Sequence, residues 1–160
     1  MPLDFEKQAQ KGNKFLKEVA QELGSESDKG KAGRMLLAVF HTLRNHLTLE
    51  ENFKLISQLP IALKGVYVHE WSPAKKQNVS RKRIDFIEEV LKHADGTSLH
   101  GFSDIKRGTE AVHAVLKILK QYISQGEFDN MEAVLPDQLK KLLKESIYNK
   151  TLTLKFETEK

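Results

Sequence analysis

Six histidines, a short run of cations and a single tryptophan are the residues of this chain best equipped for chemistry. His41 and His46 stand five apart, about 140° around a helix, so they cannot clasp one ion as an i, i+4 pair would. His69 adjoins Glu70, which is not a ligand spacing, and His93, His100 and His113 fall on or near different elements. The chain has no cysteine, which removes thiolate nucleophiles, Cys-based zinc sites and disulfides. Neither a metal nor a cofactor is expected. Lys29-Gly-Lys-Ala-Gly33 superficially suggests a phosphate loop, but no strand precedes it and its glycines are mis-spaced, so it reads as an inter-helix loop. No Gly-x-Ser-x-Gly or paired-carboxylate motif is present, which argues against an enzyme whose site is local in sequence.

The cations Lys75, Lys76, Arg81, Lys82 and Arg83 lie between Trp71 and Ile84 with no acid among them. Such a cluster can meet phosphates, and Lys140, Lys141 and Lys144 supply a second patch, so nucleic-acid binding is the alternative function. Asp85, Glu88 and Glu89 follow at once, however, and the net charge is only +4, the balance of a solvated linker. Just upstream stand Leu59, Pro60, Leu63, Tyr67 and Trp71. Tyr and Trp dominate interface hot spots, so Tyr67 and Trp71 join the five cations as a candidate interaction surface. The competing reading makes Leu59 and Leu63 core and uses the two aromatics to plug a seam.

These residues need elements to position them, and the pattern predicts helices throughout. Phe5, Ala9, Leu16, Val19, Ala20 and Leu23 make a stripe from Asp4 to Leu23, which Gly12 interrupts and Gly24 closes. Ser25 to Gly33 reads as a loop, and Met35, Leu36, Val39, Phe40, Leu43 and Leu47 as a second buried face. Thr48 with Glu51 forms a capping box for a third helix, with Phe53, Ile56 and Leu59 inward. Pro60 suits the first turn of a fourth, running to Tyr67 or Val68. Beyond the polar stretch from Ser72 to Val79, Ser80 is expected to cap a fifth helix with Ile84, Ile87, Val90 and Leu91 inward. Ser103 is expected to cap a sixth, Ser124 with Glu127 boxes a seventh, and Pro136 opens an eighth around Leu139, Leu142 and Leu143.

A repeat organises these helices. Shifted by 76, Arg34–Lys64 lies on Glu110–Lys140 without a gap, with eight identities in thirty-one positions. Leu59, Pro60 and Leu63 fall on Leu135, Pro136 and Leu139, Glu51 on Glu127, and the caps Thr48 and Ser124 coincide. The matches are caps, helix starts and apolar positions, the ones a packed fold needs. The expected fold is therefore all-α, with about eight helices in two tandem, homologous four-helix units paired with pseudo-twofold symmetry. The units span residues 1–71 and 80–150, joined by a linker at 72–79. In the tail, 151–160, the period changes from helical to alternating.

Several of these residues carry a resemblance. Phe5-Glu-Lys-Gln-Ala-Gln, Gln58-Leu-Pro followed by Leu-Lys-Gly-Val-Tyr, Glu70-Trp71, a proline-containing linker and the second Leu135-Pro together resemble DUF2267. This is a prokaryotic family of tandem helical units, and the likeness runs from Pro2 to Lys144. It implies the fold and a bacterial origin, and no catalytic residues. At His69-Glu70 the resemblance leads one to expect an acidic or small residue followed by glycine. The resulting expectation is a non-enzymatic interaction or scaffold module, cytoplasmic, with a protein partner or self-association. No membrane association is expected, since no apolar run approaches the ~20 residues of a spanning helix.

Overall fold

A computed structural model describes residues 2–74, 79–96 and 101–148. All regular structure among them is helical: α1 (Phe5–Glu22), α2 (Lys29–His46), α3 (Leu49–Gln58), α4 (Ile61–Val68), α5 (Arg83–Asp95), α6 (Phe102–Lys120), α7 (Gln125–Val134) and α8 (Asp137–Tyr148). The all-α expectation is met. Lys75, Lys76, His100 and the tail from residue 151 lie outside the described residues.

Helix starts follow local chemistry. Asp4 caps α1 by accepting the Lys7 N–H at 3.2 Å, and Asp28 caps α2 by accepting the Lys31 N–H at 3.0 Å. Capping by Asp28 turns Lys29–Gly33 into the opening turns of α2, so the expected loop there is shorter than the sequence suggested. Thr48 and Ser124 cap α3 and α7, accepting the Glu51 and Glu127 N–H groups at 3.2 and 3.0 Å. The reciprocal arm of the second box is replaced, because the Ser124 N–H donates to Gln58 Oε1 at 2.7 Å. Ser80 does not cap α5 directly. Its hydroxyl accepts the Lys82 N–H at 3.1 Å and donates to Asp85 at 2.5 Å, and the helix begins at Arg83. Ser103 likewise lies inside α6, which starts one residue earlier at Phe102.

Both Leu-Pro corners have the same hydrogen bonds. The Pro60 carbonyl accepts from Leu63 at 2.9 Å and Lys64 at 3.0 Å, and the Pro136 carbonyl accepts from Leu139 and Lys140 at 2.9 Å. Each proline thus precedes its helix rather than opening it, a position where its missing N–H is equally harmless. Leu59, Leu63, Leu135 and Leu139 are all buried. The leucines seat each corner and the proline sets its direction.

Packing centres on α2, which touches α1, α4, α5 and α6, while α6 also meets α8 and α3 meets α7. Phe15, Phe40 and Leu43 belong to one buried cluster with Phe86, Val115, Leu119 and Leu143, so the core is continuous along the chain. Rings link through it: Tyr122 to Phe15 at 4.9 Å between centroids, Phe40 to Tyr67 at 5.3 Å, and Tyr67 edge-on to Trp71 at 6.4 Å. Each such pair adds about 1 kcal/mol beyond the area it buries. Gly12 now has a packing reason. A Cβ there would sit 2.9 Å from the Ala62 Cβ, so glycine lets α1 and α4 approach closely.

Some expected faces are rotated. Phe5 is 74% exposed, and Ala9 is exposed with it, so the α1 stripe starts at Gln8 and Phe15. Ile84 is exposed on α5. On α3 the buried residues are Glu51, Asn52 and Leu55, while Phe53 is exposed and stands edge-on to Trp71 at 6.3 Å. Two polar side chains therefore occupy the inner face of α3 where apolar spacing pointed to Phe53.

Candidate recognition cleft

Those polar residues anchor a buried network. The Tyr67 side chain, 0% exposed, donates its hydroxyl to Asn52 Oδ1. Burial pushes the Tyr67 phenol well up, so it keeps the proton it donates. Asn52 Nδ2 in turn donates to the Arg44 carbonyl at 2.9 Å and the Leu47 carbonyl at 3.3 Å, tying the end of α2 to α3. Arg44 Nη1 donates to the Tyr67 and His69 carbonyls at 2.7 and 2.8 Å, which caps the end of α4 with a cation. Beside this network Glu51 and Glu127, 8% and 3% exposed, meet where α3 packs on α7. Burial first, and then the charge of Glu51, push the Glu127 carboxyl up to about 7.

Beyond α4 the chain turns sharply. Glu70 has φ 54, the one positive φ at a non-glycine among the described residues, in the position where the family resemblance led to glycine. The turn closes with the Trp71 N–H donating to the Val68 carbonyl at 3.1 Å. It delivers the Trp71 ring, half-buried, between Tyr67, Phe53 and Arg44, whose Cζ lies 5.9 Å from the ring centroid. Two clefts border the ring, and both are lined by Arg44, Asn45 and Ser72 as well. One, of about 370 Å³, is lined by His41, Arg44, Asn45, Glu70, Trp71 and His93, and the other, of about 150 Å³, by Asn52, Leu49 and Pro73 among others.

The sequence-predicted residues separate in space. Trp71 reaches the surface, but Tyr67 is wholly inside and cannot touch a partner. Arg81 and Lys82 are exposed at the start of α5, whereas Arg83 pairs with Glu145 at 2.7 Å and its N–H donates to Gln138 at 2.8 Å. Lys144 pairs with Glu132 at 3.0 Å. The histidines also divide. His41 Nε2 bonds the Val66 carbonyl at 3.0 Å, His93 Nδ1 bonds Thr42 at 3.2 Å, and His46 bonds the Thr42 carbonyl at 2.9 Å and packs tilted against Phe86. His113 stands 3.5 Å from Glu145, and burial holds its pKa below the ordinary value. No group of three or more metal-ligating side chains gathers among the described residues.

Arg44 and His93 were missed as site residues, and the sequence has a signal for only one of them. Arg44 interrupts a helix face between Leu43 and Leu47, where a cation needs buried partners. His93 enters the cleft because α2 packs on α5, which no local pattern records. No helix among the described residues is long and apolar enough to cross a membrane. No curated protein matches the chain. A family model described as an uncharacterized conserved protein, DUF2267, matches residues 12–142. That span takes in every helix from α2 to α7 with most of α1 and half of α8, and the chain belongs to the DUF2267 family.

Proposed function

We propose that this chain is a non-enzymatic interaction module of the bacterial cytoplasm, recognising a protein partner at the Trp71 cleft. We further propose that its helices form two homologous units, α1–α4 and α5–α8, related by a pseudo-twofold axis. The repeated Leu-Pro corners and the caps Thr48 and Ser124, which hydrogen-bond alike, support that arrangement. On this reading Trp71 sits at the joint between the units, at the end of the first.

One observation carries the recognition role. The only tryptophan reaches solvent while its base is braced by Tyr67, Phe53 and Arg44, between two open clefts. A rigid aromatic beside a fixed guanidinium, flanked by hollows, is the make-up of an interface hot spot. Nucleic acid is the weaker reading, because Arg83 and Lys144 already face Glu145 and Glu132.

The test compares capture from source-cell extract on immobilised wild type and Trp71→Ala, followed by titration of the purified partner against Trp71 fluorescence. Expected is a partner retained by wild type, weakened at least about tenfold in the variant, and able to shift Trp71 emission. Equal capture by both, with emission unmoved, removes the reading. A second copy of the chain as occupant would instead appear as a Trp71-dependent dimer in size-exclusion chromatography.

A further inference from the structure

Arg44 is only 9% exposed, and a buried guanidinium ordinarily has a carboxylate against it. This one does not. The nearest acid in the cleft, Glu70, is on the rim with its side chain 82% exposed and 3.7 Å from His69 Nε2. Glu89, on α5, accepts from Asn45 Nδ2 at 3.0 Å. Arg44 spends Nη1 on the Tyr67 and His69 carbonyls, which supply the partial negative charge of a helix end. Its Nε is buried with no hydrogen-bond partner, and Nη2 makes no hydrogen bond among the described residues. Nε is closed to solvent, so Nη2 is the nitrogen that keeps donors for a charged acceptor.

We propose that the 370 Å³ cleft beside Trp71 is a carboxylate site, in which the unpartnered Nη2 of Arg44 donates to the carboxylate of the ligand. The body carrying the carboxylate lies against the Trp71 ring, in a cleft that His41 and His93 also line. The volume suits a small organic acid or the last residue or two of a chain. The proposal rests on the reading of this cleft as a recognition surface, and names the group recognised there.

A single charge is the better match than a phosphate dianion. Arg44 is the one fixed cation in the lining, and burial holds the His41 pKa below its ordinary value, with Arg44 adding to the effect. The His41 imidazole therefore stays neutral near pH 7, with Nε2 donating to the Val66 carbonyl. One guanidinium facing one carboxylate is the charge match at the buried end of the cleft, since Glu70 stands on the exposed rim.

Because Trp71 is the chain's only tryptophan, its emission reads the cleft directly. Phenylacetate, phenylacetamide and inorganic phosphate are titrated separately into the full chain at pH 7. Expected is a saturable change with phenylacetate, with the uncharged amide weaker by at least about tenfold. Arg44→Gln is expected to abolish the phenylacetate response, and the acid–amide comparison in wild type holds whether or not that variant folds. A fourth titration, with acetyl-Ala-Phe bearing a free C-terminus, identifies the source. Tighter binding than phenylacetate assigns a chain terminus and weaker binding a free acid, each supporting the site. Equal binding of acid and amide, tighter binding of phosphate, or no response to either carboxylate at about 10 mM overturns it. If the carboxylates fail while Trp71→Ala still releases a protein partner, only this inference falls.

Discussion

Replacing Glu127 by glutamine is expected to stabilise the protein at pH 8 and to leave it nearly unchanged at pH 5. As carboxylates, Glu51 and Glu127 both carry a buried oxygen with no hydrogen-bond partner, Oε2 and Oε1 respectively. A proton on Glu127 lets one acid donate to the other, and burial with the Glu51 charge raises the Glu127 pKa from 4.5 to about 7. Lys54, 3.5 Å from Glu51, opposes this from an exposed position. Glu127 therefore holds more protons folded than unfolded, so the associated stability is complete below about pH 4.5 and is lost as pH rises through 7. At about 1.4 kcal/mol per pH unit, the gap is worth about 3 kcal/mol. Glutamine keeps the shape and supplies a permanent donor to Glu51. Urea unfolding of both proteins from pH 4.5 to 8 isolates the effect, because other titrating groups cancel in the difference. The variant is expected to gain about 2–3 kcal/mol on wild type across that range, mostly between pH 5 and 7. A difference that is flat with pH, or that favours wild type at pH 8, would refute the shared-proton argument.

Two further substitutions probe the packing and the turn. Gly108→Ala would place a Cβ 2.5 Å from Ile87 Cγ2 and 3.3 Å from Leu91 Cγ, so α5 and α6 must separate; a loss of about 1–3 kcal/mol is expected, read as a lower urea midpoint. Glu70→Gly relieves the residue at φ 54, and a gain of up to about 1 kcal/mol in thermal or urea unfolding is expected; a loss would mean that the Glu70 side chain outweighs its backbone strain.

Most of the helical framework was legible because its signals are local. Caps at Thr48 and Ser124, corners at Pro60 and Pro136, and the buried leucines around them are written within a few residues of where they act. Errors arose where a polar residue carried the structure. Asn52 and Glu51 face inward because Tyr67 and Glu127 wait for them across α4 and α7, and Phe53 is displaced outward as a result. Ser80 and Ser103 look like caps, but the first turns of α5 and α6 begin elsewhere. A serine oxygen specifies a cap only when the backbone around it is already placed.

By itself the sequence determined an all-α chain, its order of helices and its DUF2267 membership. The helices follow from short-range spacing, capping and apolar period, which act between neighbours along the chain, and the membership from the family match over residues 12–142. Only the tertiary structure decided that Tyr67 is core while Trp71 is surface, and that Arg44, His41 and His93 border one cleft. It also brought Glu51 and Glu127 into one buried pair. Those outcomes depend on the packing of α2 on α4 and α5 and of α3 on α4 and α7, contacts between separate helices that no local pattern encodes.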